Sequence, residues 1–181
     1  MLELYLPEIK FWDEEKEEFV YSTSGTYHFE HCLKSIFKWE GLYNKPFLID
    51  DRMTKKPKTS EEITEYVRCM CVEPIDDLTL QSLIYMHKNK IIDYIKTSQT
   101  ATTISKQTSH SNNEILTAEV IYYYMSAAQI PFECDTWHIS RLFALLNTAG
   151  IKSKPPKKMG RAATMKSNAA INRARRAGKP G

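Results

Sequence analysis

Leu2, Leu4 and Leu6 alternate with Glu3 and Tyr5 at the start of the chain, the period-two spacing of a strand with one face covered. "KFW" and "FVYS" then flank "DEEKEE", so two short apolar runs enclose a charged, solvated turn and predict a β-hairpin. That hairpin is too small to be the core. From Tyr27 the period changes, and Phe29, Leu33, Ile36, Phe37 and Glu40 fall three and four apart. This is the stripe of a first helix, which Gly41 and Pro46 are expected to end. Thr59 with Glu62 three places on is a capping box that opens a second helix, with Ile63, Val67 and Met70 at helical spacing. Asp76 or Asp77 caps a third, whose apolar positions are Leu80, Leu83, Ile84, Ile91, Ile92 and Ile95, with a break near Asn89.

Residues 97–113 are polar and rich in Ser and Thr, the composition of a surface loop. "EILTAEVIYYYMSAAQI" is apolar almost all round and predicts a helix that is central or lies at an interface. "DTWHISRLFALLNTAG" predicts another, with Asp135 as its N-cap, Leu142, Leu145, Leu146 and Ala149 as its stripe, and Gly150 just past its end. The expected core includes Trp39, Phe47, Tyr123, Tyr124, Trp137, Leu142 and Leu145. The fold class is therefore mainly α: a helical domain over 1–150 with a short N-terminal β-hairpin, then a basic C-terminal tail over 151–181. Pro155 and Pro156 separate the two, and the Ala, Arg, Lys and Met of the tail allow it to restart as a helix.

Charge divides the chain at the same place. From Lys152 onward there are ten Lys and Arg and no acid, which leaves fifteen basic and twenty-two acidic residues upstream. The body carries a formal charge of about −7 and the tail about +10, a polarity hidden inside the overall +3. A body of that length buries about two thirds of its unfolded surface and can hold a core of its own. Cys32, Cys69, Cys71 and Cys134 follow no apolar leader or cleavage site, so a reducing compartment and free, buried thiols are expected. No apolar run approaches the length of a membrane span.

Candidate chemistry is thin. "HFEHC" puts His28, His31 and Cys32 within one helical turn, but a zinc site needs a fuller and better spaced ligand set, and Cys69 with Cys71 has the wrong interval for a paired knuckle. "ECDTWHISR" gathers Glu133, Cys134, Asp135, His138 and Arg141, yet catalytic Cys and His converge from distant segments. His138 and Arg141 are read instead as polar-face residues of a helix. No phosphate-loop, dinucleotide or metalloprotease motif occurs. No catalytic residue, metal or cofactor is expected, and an enzyme is the least supported class.

The tail leaves two readings. Its cations, Lys157, Lys158, Arg161, Lys166, Arg173, Arg175 and Arg176 among them, suit either phosphates or an acidic protein surface. No Phe, Tyr or Trp follows Phe143 to stack on bases, so nucleic-acid binding through the tail would be salt-sensitive and without sequence preference.

Several stretches resemble one family: "WDEEKEEFVY" from Trp12, "FEHCLKSIFKWE" from Phe29, "KPFL" from Lys45, "KT" at Lys58 and "YVRCM" from Tyr66. "VIYYYM" from Val120, "IPFEC" from Ile130, "WHISRL" from Trp137, "PPKKM" from Pro155 and "NAAINRAR" from Asn168 continue the series. In this order they resemble the tail assembly chaperones of long-tailed, siphovirus-type bacteriophages, encoded between the tail tube and tape measure genes. The resemblance implies a late, non-enzymatic protein of virion morphogenesis. Such a protein binds the tape measure protein, keeps it soluble and helps recruit tail tube subunits. It implies work in the cytoplasm of the infected host and absence from the mature virion, with a virion or connector component as the alternative. The basic tail would then dock on the tape measure, on a tube subunit, or on the acidic body of a neighbouring copy. The family's chaperone genes commonly yield a second, longer product by ribosomal frameshifting, for which Gly178 and Lys179 mark the place to inspect.

Overall fold

The computed structural model describes residues 1–49, 57–102, 115–153 and 160–178. Two compact units divide it, Met1–Gly150 and Ile151–Gly181, and the described residues are mainly helical, with 56% helix and 14% strand. Residues 103–113 of the expected loop, Pro155, Pro156, Lys157, Lys158 and Lys179 lie outside the described residues.

The first unit opens with four strands, β1 (Leu2–Leu6), β2 (Lys10–Asp13), β3 (Glu18–Tyr21) and β4 (Gly25–Phe29). β1 pairs with β4 and β2 with β3, both antiparallel. The register from Leu2↔Phe29 through Leu6↔Gly25 to Lys10↔Tyr21 and Asp13↔Glu18 never slips. The four strands are therefore one long hairpin. Its ladder is interrupted beside Pro7, which has no N–H to give. Across the gap the Ser22 N–H donates to the Ile9 carbonyl at 2.9 Å, and the Ile9 N–H donates to Ser22 Oγ at 2.9 Å. At the tip Asp13 Oδ1 accepts the N–H groups of Glu15 and Lys16 at 3.0 and 3.2 Å, an Asx turn.

The expected first helix begins later than its spacing suggested. Tyr27 and Phe29 belong to β4, because β4 finds partners on both sides. Opposite β1, the Glu30 N–H donates to the Met70 carbonyl at 2.8 Å and the Val72 N–H to the His28 carbonyl at 2.9 Å. Helix α1 is Leu33–Tyr43. It runs through Gly41 and stops at Asn44, which takes the left-handed conformation with φ 51.

Helix α2 (Ser60–Met70) starts at Thr59 with both arms of the capping box formed. Val67 and Met70 are buried, while Ile63 turns outward. Helix α3 (Asp77–Lys96) is capped by Asp76, and its break falls at His87, where φ is −121. His87 Nε2 there donates to the Tyr5 carbonyl at 2.9 Å, tying the kink to β1.

Helix α4 (Ala118–Ala127) is capped by Thr117. Past its end Gln129 has φ 54, and the Ile130 N–H donates back to the Met125 carbonyl at 2.9 Å, a Schellman closure. A 3-10 turn over Phe132–Thr136 precedes α5 (Ile139–Lys152). Asp135 is thus inside that turn and does not cap α5; it accepts the Tyr122 hydroxyl at 2.9 Å. Gly150 lies within α5 rather than beyond it.

One core joins these elements around Leu4, Leu6, Phe29, Leu33, Ile36, Trp39, Tyr66, Met70, Leu80, Leu83, Ile121, Met125 and Leu142. Of the expected core residues, Trp39 and Leu142 are fully buried, and Phe47 and Leu145 pack at the margin. Tyr123, Tyr124 and Trp137 are exposed. The α4 face that turns inward is Ala118, Ile121 and Met125. The four thiols are free, and all but Cys69 are buried.

In the second unit, helix α6 spans Arg161–Ala177. Arg175 and Arg176 occupy its last turn, where cations complement the partial negative charge of a helix C-terminus. Among the described residues no helix is long and apolar enough to cross a membrane.

Candidate functional site

Lys166, Arg173, Arg175 and Arg176 stand exposed on α6. Among the described residues no acid pairs with them. Arg161 opens the helix, and Lys157 and Lys158 lie outside the described residues. Met165 and Ile171 are also exposed, so α6 offers aliphatic as well as cationic groups.

The body contributes aromatic surfaces, some at positions whose spacing predicts core and some at positions that spacing does not single out. Phe37 of α1, Tyr122 of α4 and Phe132 of the 3-10 turn form an edge-to-face ladder, with ring centroids 5.8 and 5.9 Å apart. Phe37 and Phe132 are respectively 46% and 56% exposed. Asp135 holds the Tyr122 hydroxyl, and its charge adds to burial in pushing the phenol's pKa up. This strip was legible only in part: "VIYYYM" marked an interface-grade helix, but Phe37 had been given to the core stripe of α1. A shallow depression of about 290 Å³ is lined by Thr100, Thr102, Trp137, Arg141, Ala144, Leu145 and Thr148. The Arg141 guanidinium sits 5.3 Å from the Trp137 ring centre.

Two of the three histidines in these clusters, His31 and His138, are buried. His31 Nδ1 accepts the Tyr66 hydroxyl at 2.5 Å, and the His31 and His138 rings meet edge to face at 5.1 Å. His138 Nε2 donates to the Tyr94 carbonyl at 3.2 Å, while its Nδ1 accepts from Ser140 Oγ at 2.8 Å. His138 is therefore a buried strut between α3 and α5, not the polar-face residue its position suggested. Burial and the neighbouring His138 hold the His31 pKa down to about 4. Burial also lowers that of His138, against the opposing effect of the Tyr94 carbonyl.

Both imidazoles are buried and hydrogen-bonded. Burial pushes the Cys71 thiol up to about 11 and raises that of Cys69, which leaves little thiolate to act as nucleophile or ligand. Among the described residues no three His, Cys, Asp or Glu side chains gather closely enough to hold a metal ion. His28 is committed elsewhere: its Nδ1 lies 2.6 Å from Glu73 Oε1, and its N–H donates to Oε2 at 2.8 Å.

Comparison with family models, with curated proteins and with solved structures finds no match for this chain. The geometry is an open aromatic strip on the helical body and, among the described residues, a cationic helix that no acid pairs with.

Proposed function

We propose that this chain is a tail assembly chaperone of a long-tailed bacteriophage, a non-enzymatic protein that binds the tape measure protein, keeps it soluble and helps bring tail tube subunits to it. The resemblance of the sequence blocks, in their order, to that family motivates the reading. The structural observation that carries it is the solvent-open ladder of Phe37, Tyr122 and Phe132. A long helical protein exposes apolar stripes before it is packaged, and such stripes aggregate unless another apolar surface covers them. The strip supplies that cover, and the cations of α6 supply contacts to an acidic surface. The protein works in the cytoplasm of the infected host and leaves before the virion is complete.

Co-expression with the large phage gene beside it tests this directly. The large protein should be recovered in a soluble complex with the wild-type chain, and recovery should fall with Phe37→Ser/Phe132→Ser. Equal precipitation with and without the chain would sink the reading. Finding the chain in purified particles by mass spectrometry would favour a virion or connector component instead. Tight DNA binding that survives physiological salt would favour a nucleic-acid protein.

A further inference from the structure

The unbroken register of the hairpin has a consequence for its distal half. Lys10 and Trp12 keep the parity of Leu4 and Leu6, and Phe19 and Tyr21 keep that of Tyr27 and Phe29. At the base this face is buried, with α3 packed against β1. On the arm, residues 10–21, no side chain is buried, and Trp12, Phe19 and Tyr21 are 53%, 50% and 52% exposed. Trp12 and Phe19 pack edge to face at 4.9 Å, with Lys10 Nζ 3.6 Å from the Phe19 ring centre. The same face that the base covers with a helix is bare on the arm.

The surroundings of this face restrict its occupant. Asp13, Glu14, Glu15, Glu17 and Glu18 crowd the tip with only Lys16 among them, and Lys16 pairs with Asp13 at 3.6 Å. A second arm would meet it acid to acid. A fitting partner is aliphatic at one end, strongly cationic at the other, and helical, as the cover of the base is.

Helix α6 has that chemistry. Met165, Ala169, Arg173 and Arg176 fall at i, i+4, i+8 and i+11, one face of a helix. The aliphatic pair and the arginine pair are separated by about 11 Å along that axis. From the Trp12 and Phe19 pair to the acidic turn is about 7 to 10 Å of strand. α6 contains no acid.

We propose that the hairpin arm of one copy receives the basic C-terminal helix of a second copy. Met165 and Ala169 lie over Trp12 and Phe19, and Arg173 and Arg176 reach the acidic turn. Each copy has one arm and one helix, so the contact is heterologous and copies add head to tail. This names a surface for the self-association that charge polarity suggested, and it does not rest on the tape measure reading.

Sedimentation of the purified full chain tests it. At about 50 mM salt the mass should rise with concentration above the 21.0 kDa monomer. At about 0.5 M salt it should fall back, because exposed charges are then screened within a few ångströms. Two variants, Trp12→Ser/Phe19→Ser on the arm and Arg173→Glu/Arg175→Glu/Arg176→Glu on the helix, should each self-associate at least about tenfold more weakly. Mixed, they should form a one-to-one dimer, since one retains the helix and the other the arm. Glu14→Lys/Glu15→Lys/Glu17→Lys, which leaves the aromatic pair intact, should weaken association as well, so a misfolded serine variant does not decide the matter. A wild-type chain that stays monomeric at low salt overturns the proposal. So does wild-type association by either the arm or the helix variant, or a mixture that remains monomeric.

Discussion

His31 reports on acidity through its burial. Folded, it takes a proton only near pH 4, against 6.5 for the free side chain, so the unfolded chain binds that proton first. Its contribution is fully present above about pH 6.5 and is lost as pH falls toward 4, with about 2 kcal/mol gone by pH 5. His138, lowered in the same direction, steepens the slope. Glu62, Glu73 and Asp76, whose pKa values are lowered, weaken the fold only in still more acid solution. Urea midpoints measured from pH 7 to 5 should therefore decline. His31→Asn, which keeps an acceptor for the Tyr66 hydroxyl, should flatten that decline. Glu40 is the other buried ionisable group that matters here. Its Oε1 accepts the Phe47 N–H and its Oε2 the Ala118 N–H, each at 2.7 Å, so one carboxylate fixes both the segment after α1 and the first turn of α4. Glu40→Gln retains one acceptor and turns an amide N–H toward the other donor. A loss of about 1 to 3 kcal/mol is expected by chemical denaturation, the cost of one buried unsatisfied group. Nothing in sequence spacing distinguishes this Glu from an exposed one at the edge of a stripe, because its partners lie up to 78 residues away.

Local capping signals translated well into elements. Thr59 with Glu62 opens α2 and Asp76 opens α3 as their side-chain chemistry requires. Elements decided by distant pairing did not. Tyr27 and Phe29 sit at an interval that also fits the stripe leading to Leu33, and only the strands beside them, β1 and residues 70–72, settle the choice. Gly41 predicts a stop, yet α1 tolerates it because tertiary packing of Trp39 and Ile36 outweighs a propensity cost of about 1 kcal/mol. A Cβ at Gly41 would meet nothing within 4 Å, so Gly41→Ala should stabilise by about 0.5 to 1 kcal/mol. The opposite exchange is expected at Gln129, whose φ of 54 strains an L side chain: Gln129→Gly should stabilise by roughly the same amount. Thermal midpoints of the two variants and of the double variant check both, and the effects should add.

Across the whole molecule, the charge division at residue 150 and a body capable of its own core were readable from counts and periodicity alone. The surfaces open to partners were not, because periodicity says that Tyr123, Tyr124 and Trp137 are apolar but not which way they face. A chain ending at Gly150 should unfold with the denaturation midpoint of the full protein, since among the described residues the last to pack against the core is Ala149. It should also lose whatever weak, salt-sensitive DNA retention the full chain shows on an anion-bearing column. A truncated body that is markedly destabilised would mean that the tail contributes to its core. The spine of that body also imposes an order on its birth. The segment after β4 is completed on one side by residues 70–72 and on the other by the Ile139 N–H, which donates to the His31 carbonyl at 2.9 Å. That segment thus waits for residues near 139 to be synthesised. Until they arrive, the strands and helices already made stand with part of their shared apolar face uncovered, and the chain is then most exposed to pairing with a neighbour instead of with itself.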